Sequence, residues 1–204
     1  MKVLPPLVSA SAGARSSLRT DRSEPCNSLP ITARRRPTGY ESRWRSKGWI
    51  QADDGSGLIQ SPAIIEYLEE RYPARPLLSK DLLTRAHERA VAALVACDIH
   101  PLHNVSVLNQ LRQLGQSEDQ VTQWIGHWIG QGLAAIEQLI GDNGYCFGPE
   151  PGLADVYLIP QLYAAERFNV SLAAYPRISR VAALALQHPA FIQAHPARQP
   201  DTPT

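Results

Sequence analysis

From Ile64 onward the chain shows the hydrophobic spacing of α-helices. Apolar residues recur at intervals of three and four positions, which places them on one face of a helix. The pattern predicts a mainly α fold with helices at 62–72, from Ser79 or Asp81 to about Leu111, at 121–140, 151–168 and 177–187, and a short one after Pro189. Pro101 should kink the second helix, because proline removes a backbone donor and clashes with the preceding turn.

A short strand is expected just before the first helix. Gly57–Ile59 follows a turn at Asp54-Gly55, as strands bounded by turn residues do. No neighbouring segment has a clear strand pattern, so this strand is expected to lack a sheet partner. We therefore expect residues 1–60 to be mostly mobile, with the helix at 62–72 packed on the helices that follow.

The polar pair Gln60-Ser61 lies at the start of that helix. Ser61 suits the N-cap, and Pro62 suits the first helical position, where its missing N–H costs nothing. A helix N-terminus also favours a bound carboxylate, and Gln60 adds one donor and one acceptor. The pair could hold an amino-acid-like group, or Ser61 could simply cap its own helix.

Three further polar positions carry open interpretations. The segment CDIHPLHN contains His100 and His103 but no third ligand at metal-site spacing, so it predicts a polar patch facing a cleft at the kink rather than a metal site. Asp155 is placed to bond back to the amide of Gly152 in a structural capping box. Arg167 either pairs with the helix dipole or with Glu166, or offers a guanidinium fork to a substrate carboxylate.

Charge divides the 204-residue chain, although its net charge is only +1. Residues 1–49 hold ten basic and three acidic side chains, whereas the remainder holds ten basic and sixteen acidic ones. The tract ARRRPTGYESRWRSKGW could be a nucleic-acid-binding arm, but no folded platform surrounds its aromatics, and we favour a solvated, largely disordered segment without nucleic acid. Three scattered cysteines and no apolar run of membrane-spanning length favour a cytoplasmic protein without a membrane partner.

Three segments together resemble the zeta class of glutathione transferases, the family of the maleylacetoacetate isomerases. They are SPAIIEYLEERYP, ACDIHPLHNVSVL and GYCFGPEPGLADVYLIPQLYAAERFNV, and the similarity runs from about Asp53 to Asp201. The resemblance implies a thioredoxin-like domain that binds glutathione, an all-helical C-terminal domain and a homodimer. The implied reaction is the glutathione-dependent cis–trans isomerisation of maleylacetoacetate to fumarylacetoacetate in tyrosine and phenylalanine breakdown.

The resemblance also implies roles for individual residues. Gln60 and Ser61 would hold the γ-glutamyl end of glutathione, and Arg167 a carboxylate of the diacid substrate. Arg15-Ser16-Ser17 matches the Arg-Ser-Ser motif whose serines activate the glutathione sulfur, so Ser17 or Ser16 would take that role. The remaining glutathione contacts would come from His100, Asn104, Val105 and Ser106.

The N-terminal segment departs from the family pattern. No apolar helix follows Ser17, and the family's Val-Pro pair is missing. We therefore expect residues 1–76 to form an incomplete thioredoxin-like domain, with 1–50 disordered, and residues 80–204 to form the helical domain. An out-of-frame or replaced start would explain the change near Gln51. The alternative function is a catalytically impaired relative that acts only as a binding or dimerising helical domain.

Overall fold

The computed structural model describes residues 49–52 and 54–199. Ser16 and Ser17 lie outside the described residues, and so does the disorder expected for 1–50 except at Trp49 and Ile50, which form part of a strand instead. The elements in chain order are β1 (Trp49–Gln51), β2 (Gly57–Ile59), α1 (Ser61–Arg71), α2 (Leu82–Ala93), a π-helical turn (Leu94–Ile99), a 3₁₀ helix (His100–His103), α3 (Val105–Gln113), α4 (Glu118–Leu139), α5 (Leu153–Arg167), α6 (Pro176–Ala185), α7 (Pro189–Ala194) and a 3₁₀ turn (Pro196–Arg198).

Strands β1 and β2 form a small antiparallel hairpin. Ile50 lies opposite Leu58, and the turn between the strands is held by Ser56 N–H, which donates to Asp54 Oδ1 at 2.8 Å. Gly55 takes φ +87° in this turn, a conformation that glycine adopts without strain. The strand at Gly57–Ile59 is confirmed, but the expectation that it has no partner was wrong. Its partner is a three-residue segment, too short to show strand periodicity in the sequence.

Helix α1 is attached to the helical part of the chain, as the sequence predicted. Ile65 packs against a small cluster of buried residues, Leu78, Ala92 and Leu153. The carboxylate of Glu69 accepts hydrogen bonds from the N–H groups of Leu77 and Leu78, at 2.8 and 3.1 Å. Glu66 pairs with Arg89 of α2 at 3.3 Å. The polar face of α1 is therefore partly an attachment surface rather than a purely solvated one.

The second helical segment changes geometry before Pro101, which confirms the predicted kink. Asp81 caps α2 by accepting from Thr84 N–H at 2.8 Å, in agreement with one of the two caps considered. The helix then widens into the π-helical turn and tightens into the 3₁₀ helix. Proline cannot donate to the helical ladder and crowds the turn before it, which accounts for a break at this point.

The core lies where α2, the π-helical turn, α4, α5 and α6 meet. The fully buried side chains of this core include Val91, Ile99, Val121, Ile129, Leu133, Ile136, Leu158, Ile178 and Val181. The π-helical turn approaches α4 closely at Gly132, where a Cβ would collide with the side chain of Ile99. The close approach therefore depends on glycine at this position of α4.

One helix boundary refines the sequence prediction, and one apolar run differs from it. Helix α6 begins at Pro176, one residue before the expected start, because proline fits the first helical position. The expectation that no apolar run has membrane-spanning length was wrong for the described residues: one run, Leu82–Gln113, is long and apolar enough by length and composition. That run changes helix type twice before a break at Asn104, and its buried face belongs to the core, so we assign it to the helical domain.

Candidate functional site

The start of α1 is built differently from the sequence prediction. Gln60, not Ser61, is the N-cap, because the Gln60 carbonyl accepts the first helical bond from Ile64 N–H at 3.0 Å. Ser61 is therefore the first helical residue, and its prediction as N-cap was wrong. Pro62 then occupies the second position, where its missing N–H is equally harmless because first-turn donors have no partner inside the helix.

This shift leaves the first turn of α1 open. No side chain caps the helix N-terminus, and its first turn carries no acidic residue. Gln60, Ser61 and Ala63 are all exposed. The hydroxyl of Ser61 makes no hydrogen bond to any other described residue. Two backbone donors, one hydroxyl and the positive end of the helix dipole are thus available to an anion.

Gln60 has an unusual backbone conformation. Its φ is +72° and its ψ +117°, in the half of conformational space that non-glycine residues rarely occupy. Strain of this kind persists only where surrounding structure enforces it, and it concentrates at ligand-binding positions. The conformation sets the direction in which the side-chain amide leaves the helix start, next to Ser61.

A second group of candidate residues opens α3. Asn104 is the N-cap of α3, and its Oδ1 accepts from Ser106 N–H at 3.1 Å and from the Ser106 hydroxyl at 2.9 Å. Val105 is exposed over 69% of its surface. The hydroxyl of Ser106 is therefore engaged within the cap, whereas Asn104 Nδ2 has no partner among the described residues.

The two histidines at the kink face different surroundings. His100 is exposed, and its ring meets the ring of His103 edge-on at 5.4 Å between centroids. His103 is buried, and its Nε2 lies 3.2 Å from Oε1 and 3.1 Å from Nε2 of the Gln161 amide. Of the polar patch predicted here, His100 thus lies at the surface and His103 in the core. Gln161 was missed because α5 is apolar nearly all round, and a single amide in such a helix gives no functional signal.

Arg167 ends α5 with an exposed side chain. It forms no salt bridge with Glu166, since neighbouring residues on a helix point in different directions, and that alternative was wrong. Among the described residues the guanidinium has no ionic partner; its central carbon lies 5.9 Å from the ring centroid of Phe168. The guanidinium is therefore available to a carboxylate, at the negative end of the helix.

Asp155 has the structural role expected of it. Its Oδ2 accepts from Gly152 N–H and its Oδ1 from Cys146 N–H, both at 2.9 Å. Burial, and then the nearby charge of Asp155, raises the pKa of the Cys146 thiol. A thiol held protonated in this way is a poor nucleophile, so Cys146 belongs to the core.

The described residues suit glutathione at the start of α1 and do not form a metal site. A γ-glutamyl group carries a carboxylate, which matches the open first turn of α1, and an ammonium, which matches the side-chain amide oxygen of Gln60. Among residues 49–52 and 54–199, no three His, Cys, Asp or Glu side chains lie together as metal ligands would.

The helical part of the chain defines a glutathione transferase C-terminal domain. The family model described as "Glutathione S-transferase, C-terminal domain" matches residues 119–183, which span α4, α5 and part of α6. Zeta-class structures have the same fold over a larger region. A holo structure of maleylpyruvate isomerase, a bacterial zeta-class glutathione transferase, superimposes with a TM-score of 0.71 at 46% identity, covering 74% of each chain.

Individual relatives narrow the family further. The maleylacetoacetate isomerase of Pseudomonas aeruginosa is 75% identical over 154 residues, which cover 76% of this chain and 73% of that protein. The maleylacetoacetate isomerase of Anaeromyxobacter dehalogenans, solved with glutathione in its active site, superimposes with a TM-score of 0.70 at 40% identity. The match covers 76% of this chain and 72% of that one. The chain belongs to the zeta-class glutathione transferases, in the group of the maleylacetoacetate isomerases. The fold class and the family resemblance expected from the sequence are both confirmed.

Proposed function

We propose that this protein is a glutathione-dependent isomerase that converts maleylacetoacetate to fumarylacetoacetate. The observation that carries this proposal is the 75% identity to the Pseudomonas aeruginosa maleylacetoacetate isomerase over 154 residues. The enzyme acts in tyrosine and phenylalanine breakdown, in the cytoplasm and as a homodimer, without nucleic acid or membrane. Its domains are an incomplete thioredoxin-like part at 1–76 and the helical part at 80–204.

The chain's own residues contribute binding and orientation. The open first turn of α1, with Ser61 and Gln60, binds the γ-glutamyl end of glutathione. Bound glutathione supplies a sulfur nucleophile for the substrate double bond. Arg167 binds a carboxylate of the diacid through charge-assisted hydrogen bonds, which its planar guanidinium can make in pairs.

The helical domain completes the proposed site. His100, Asn104, Val105 and Ser106 contact glutathione from the start of α3. Two of these four are supported by available groups: Val105 is exposed, and Asn104 has an amide nitrogen without a described partner. Ser17 or Ser16 activates the sulfur; both lie outside the described residues.

The test is turnover of the purified full chain with glutathione and maleylacetone, a substrate of the same cis-diketo-acid class. Arg167→Gln should raise KM for maleylacetone about tenfold or more, because a hydrogen bond to a charged group contributes about 1.5–3 kcal/mol. Ser61→Ala should raise KM for glutathione instead. Arg112→Gln, at a surface ion pair with Glu118, is the matched control and should change neither constant.

The outcomes separate the two functions considered. Turnover with the expected split between the two KM values supports the isomerase. Retention on immobilised glutathione without any turnover overturns it in favour of the catalytically impaired relative.

A further inference from the structure

The buried pair His103–Gln161 joins the two segments that carry the candidate binding residues. His103 ends the 3₁₀ helix immediately before Asn104, the cap of α3. Gln161 lies in the middle of α5, six residues before Arg167. The imidazole–amide contact at 3.1–3.2 Å is thus a side-chain link between the start of α3 and the helix that ends at Arg167.

A second contact of His103 reaches the end of α5. The His103 ring meets the Phe168 ring edge-on, with 5.7 Å between centroids. Phe168 follows Arg167 in the chain, and the Arg167 guanidinium lies over the Phe168 ring. His103 is thus the chain neighbour of Asn104, and its imidazole contacts Phe168, the chain neighbour of Arg167.

The backbone ladder near His103 is interrupted at Pro101, which leaves side-chain links a share in holding this turn. Pro101 has no N–H, and the N–H of Asn104 reaches the Pro101 carbonyl only at 3.3 Å. A second side-chain link holds the same turn, since the Trp124 indole N–H donates to the Leu102 carbonyl at 2.7 Å. Side chains from α4 and α5, together with the Asn104 cap, therefore hold the turn at which α3 begins.

The chemistry of the pair suits a role in fixing the orientation of the two segments that it joins. His103 and Gln161 are 6% and 3% exposed in a core made otherwise mostly of aliphatic side chains. A hydrogen-bonded polar pair in a core gives little net stability over a well-packed apolar pair, but it fixes orientation. The Gln161 amide can present its oxygen or its nitrogen, so it can pair with either tautomer of the imidazole.

We infer that His103 and Gln161 are positioning residues of the proposed isomerase, because their pair fixes Asn104–Ser106 relative to Arg167. The inference rests on the proposed function for its catalytic consequence. Their proposed role requires no contact with the reacting atoms. Their effect is to hold the glutathione-binding segment and the carboxylate-binding group in one arrangement.

The experiment compares His103→Leu, Gln161→Leu, the double variant and His103→Gln in the full chain. A displacement of about 1 Å can cost on the order of a hundredfold in rate, so each single leucine variant should lose tenfold or more in kcat/KM for maleylacetone. His103→Gln keeps an amide near the position of the imidazole Nε2 and should stay within about threefold of wild type. The double variant has no unpaired polar group left, so its unfolding midpoint should recover while its kcat/KM stays low.

A second readout is independent of turnover. In His103→Leu, hydrogen exchange should accelerate at Val107 and Leu108, whose N–H groups bond to Asn104, and at Val170, which bonds back to Ala165, but not along α4. Glu137→Gln, which loses a buried polar contact elsewhere in the core, is the control and should lower stability without changing KM.

Wild-type kinetics or wild-type exchange in His103→Leu would overturn the inference, as would recovery of kcat/KM in the double variant. A wild-type chain without turnover would instead refute the proposed function. The exchange rates would then decide by themselves whether the pair couples the two segments.

Discussion

Replacing Glu137 by leucine tests how α6 is held in the fold. Pro176 occupies the first position of α6, and the side chain of Tyr175 does not cap the helix. The carboxylate of Glu137, from α4, accepts instead from Arg177 N–H at 2.8 Å and from Ile178 N–H at 3.0 Å. Glu137 is thus a tertiary cap that binds the first two available donors of α6 and complements the helix dipole.

The two donors differ in how easily water can replace the carboxylate. Ile178 is fully buried, so its N–H would be left unsatisfied at a cost of about 1–3 kcal/mol, whereas Arg177 N–H is only partly buried and can be hydrated in part. Loss of the charge at the helix start adds on the order of 1 kcal/mol. Glu137→Leu should therefore lower the free energy of unfolding by about 3 kcal/mol. Glu137→Gln, which keeps one acceptor, should lower it by roughly half as much.

Urea unfolding monitored by tryptophan fluorescence measures the difference. With a slope of about 2 kcal/mol per M, a loss of about 3 kcal/mol moves the midpoint down by roughly 1.5 M. Glu118→Gln is the control on the same helix: its side chain is 72% exposed and, among the described residues, pairs with Arg112, so loss of this ion pair and of the charge at the start of α4 should lower the midpoint by at most about 0.5 M. A midpoint for Glu137→Leu that equals the wild-type value, or a shift of equal size in Glu118→Gln, would refute the capping role.

Two further predictions concern the loop between α4 and α5. Burial and the charge of Asp155 raise the pKa of Cys146, so on raising the pH the thiol ionises in the unfolded chain before it does in the folded one. The contribution of this group to the free energy of unfolding should be constant below about pH 8 and should fall above about pH 9, by at most about 1.4 kcal/mol per pH unit. Urea unfolding of Cys146→Ala at a series of pH values should lack that decline. Equal slopes in both proteins would contradict the assignment. Gly144→Ala should cost at least about 2 kcal/mol, because φ there is +63° and the new Cβ would collide with the Gly148 carbonyl, in a loop that Arg180 fixes by donating to the Gly144 carbonyl at 2.9 Å. A thermal midpoint unchanged from wild type would show that the loop can relax.

Local patterns predicted those parts of the fold that depend on neighbours in sequence. The stripe from Val121 to Ile140 became α4, the capping box of Asp155 formed, and Pro101 broke its helix. Contacts between distant segments could not be predicted in this way. The partner of β2 is only three residues long, and the cap of α6 comes from Glu137, about forty residues earlier in the chain. Neither carries a signal in its own stretch of sequence.

The same distinction separates the candidate residues. Gln60, Ser61 and Arg167 were singled out because they stand at helix ends, where polar groups are visible against an apolar pattern, whereas Asn104 was assigned a role only through the family resemblance. Gln161 was missed because its partner, His103, is 58 residues away. A buried amide acquires a role only through the residue that the fold places beside it.

The one-residue shift at the start of α1 bears directly on function. If Ser61 were the N-cap, its hydroxyl would be used by its own helix, and the stretch would have an ordinary structural explanation. With Gln60 at the cap in a strained conformation, the first turn keeps its backbone donors and the Ser61 hydroxyl makes no bond to any described residue. A helix that leaves its own N-terminus uncapped loses about 1 kcal/mol that a capping side chain would supply. An anionic ligand bound at that turn would satisfy the same donors, so the missing cap supports a ligand-binding role for Gln60 and Ser61 over a purely structural one.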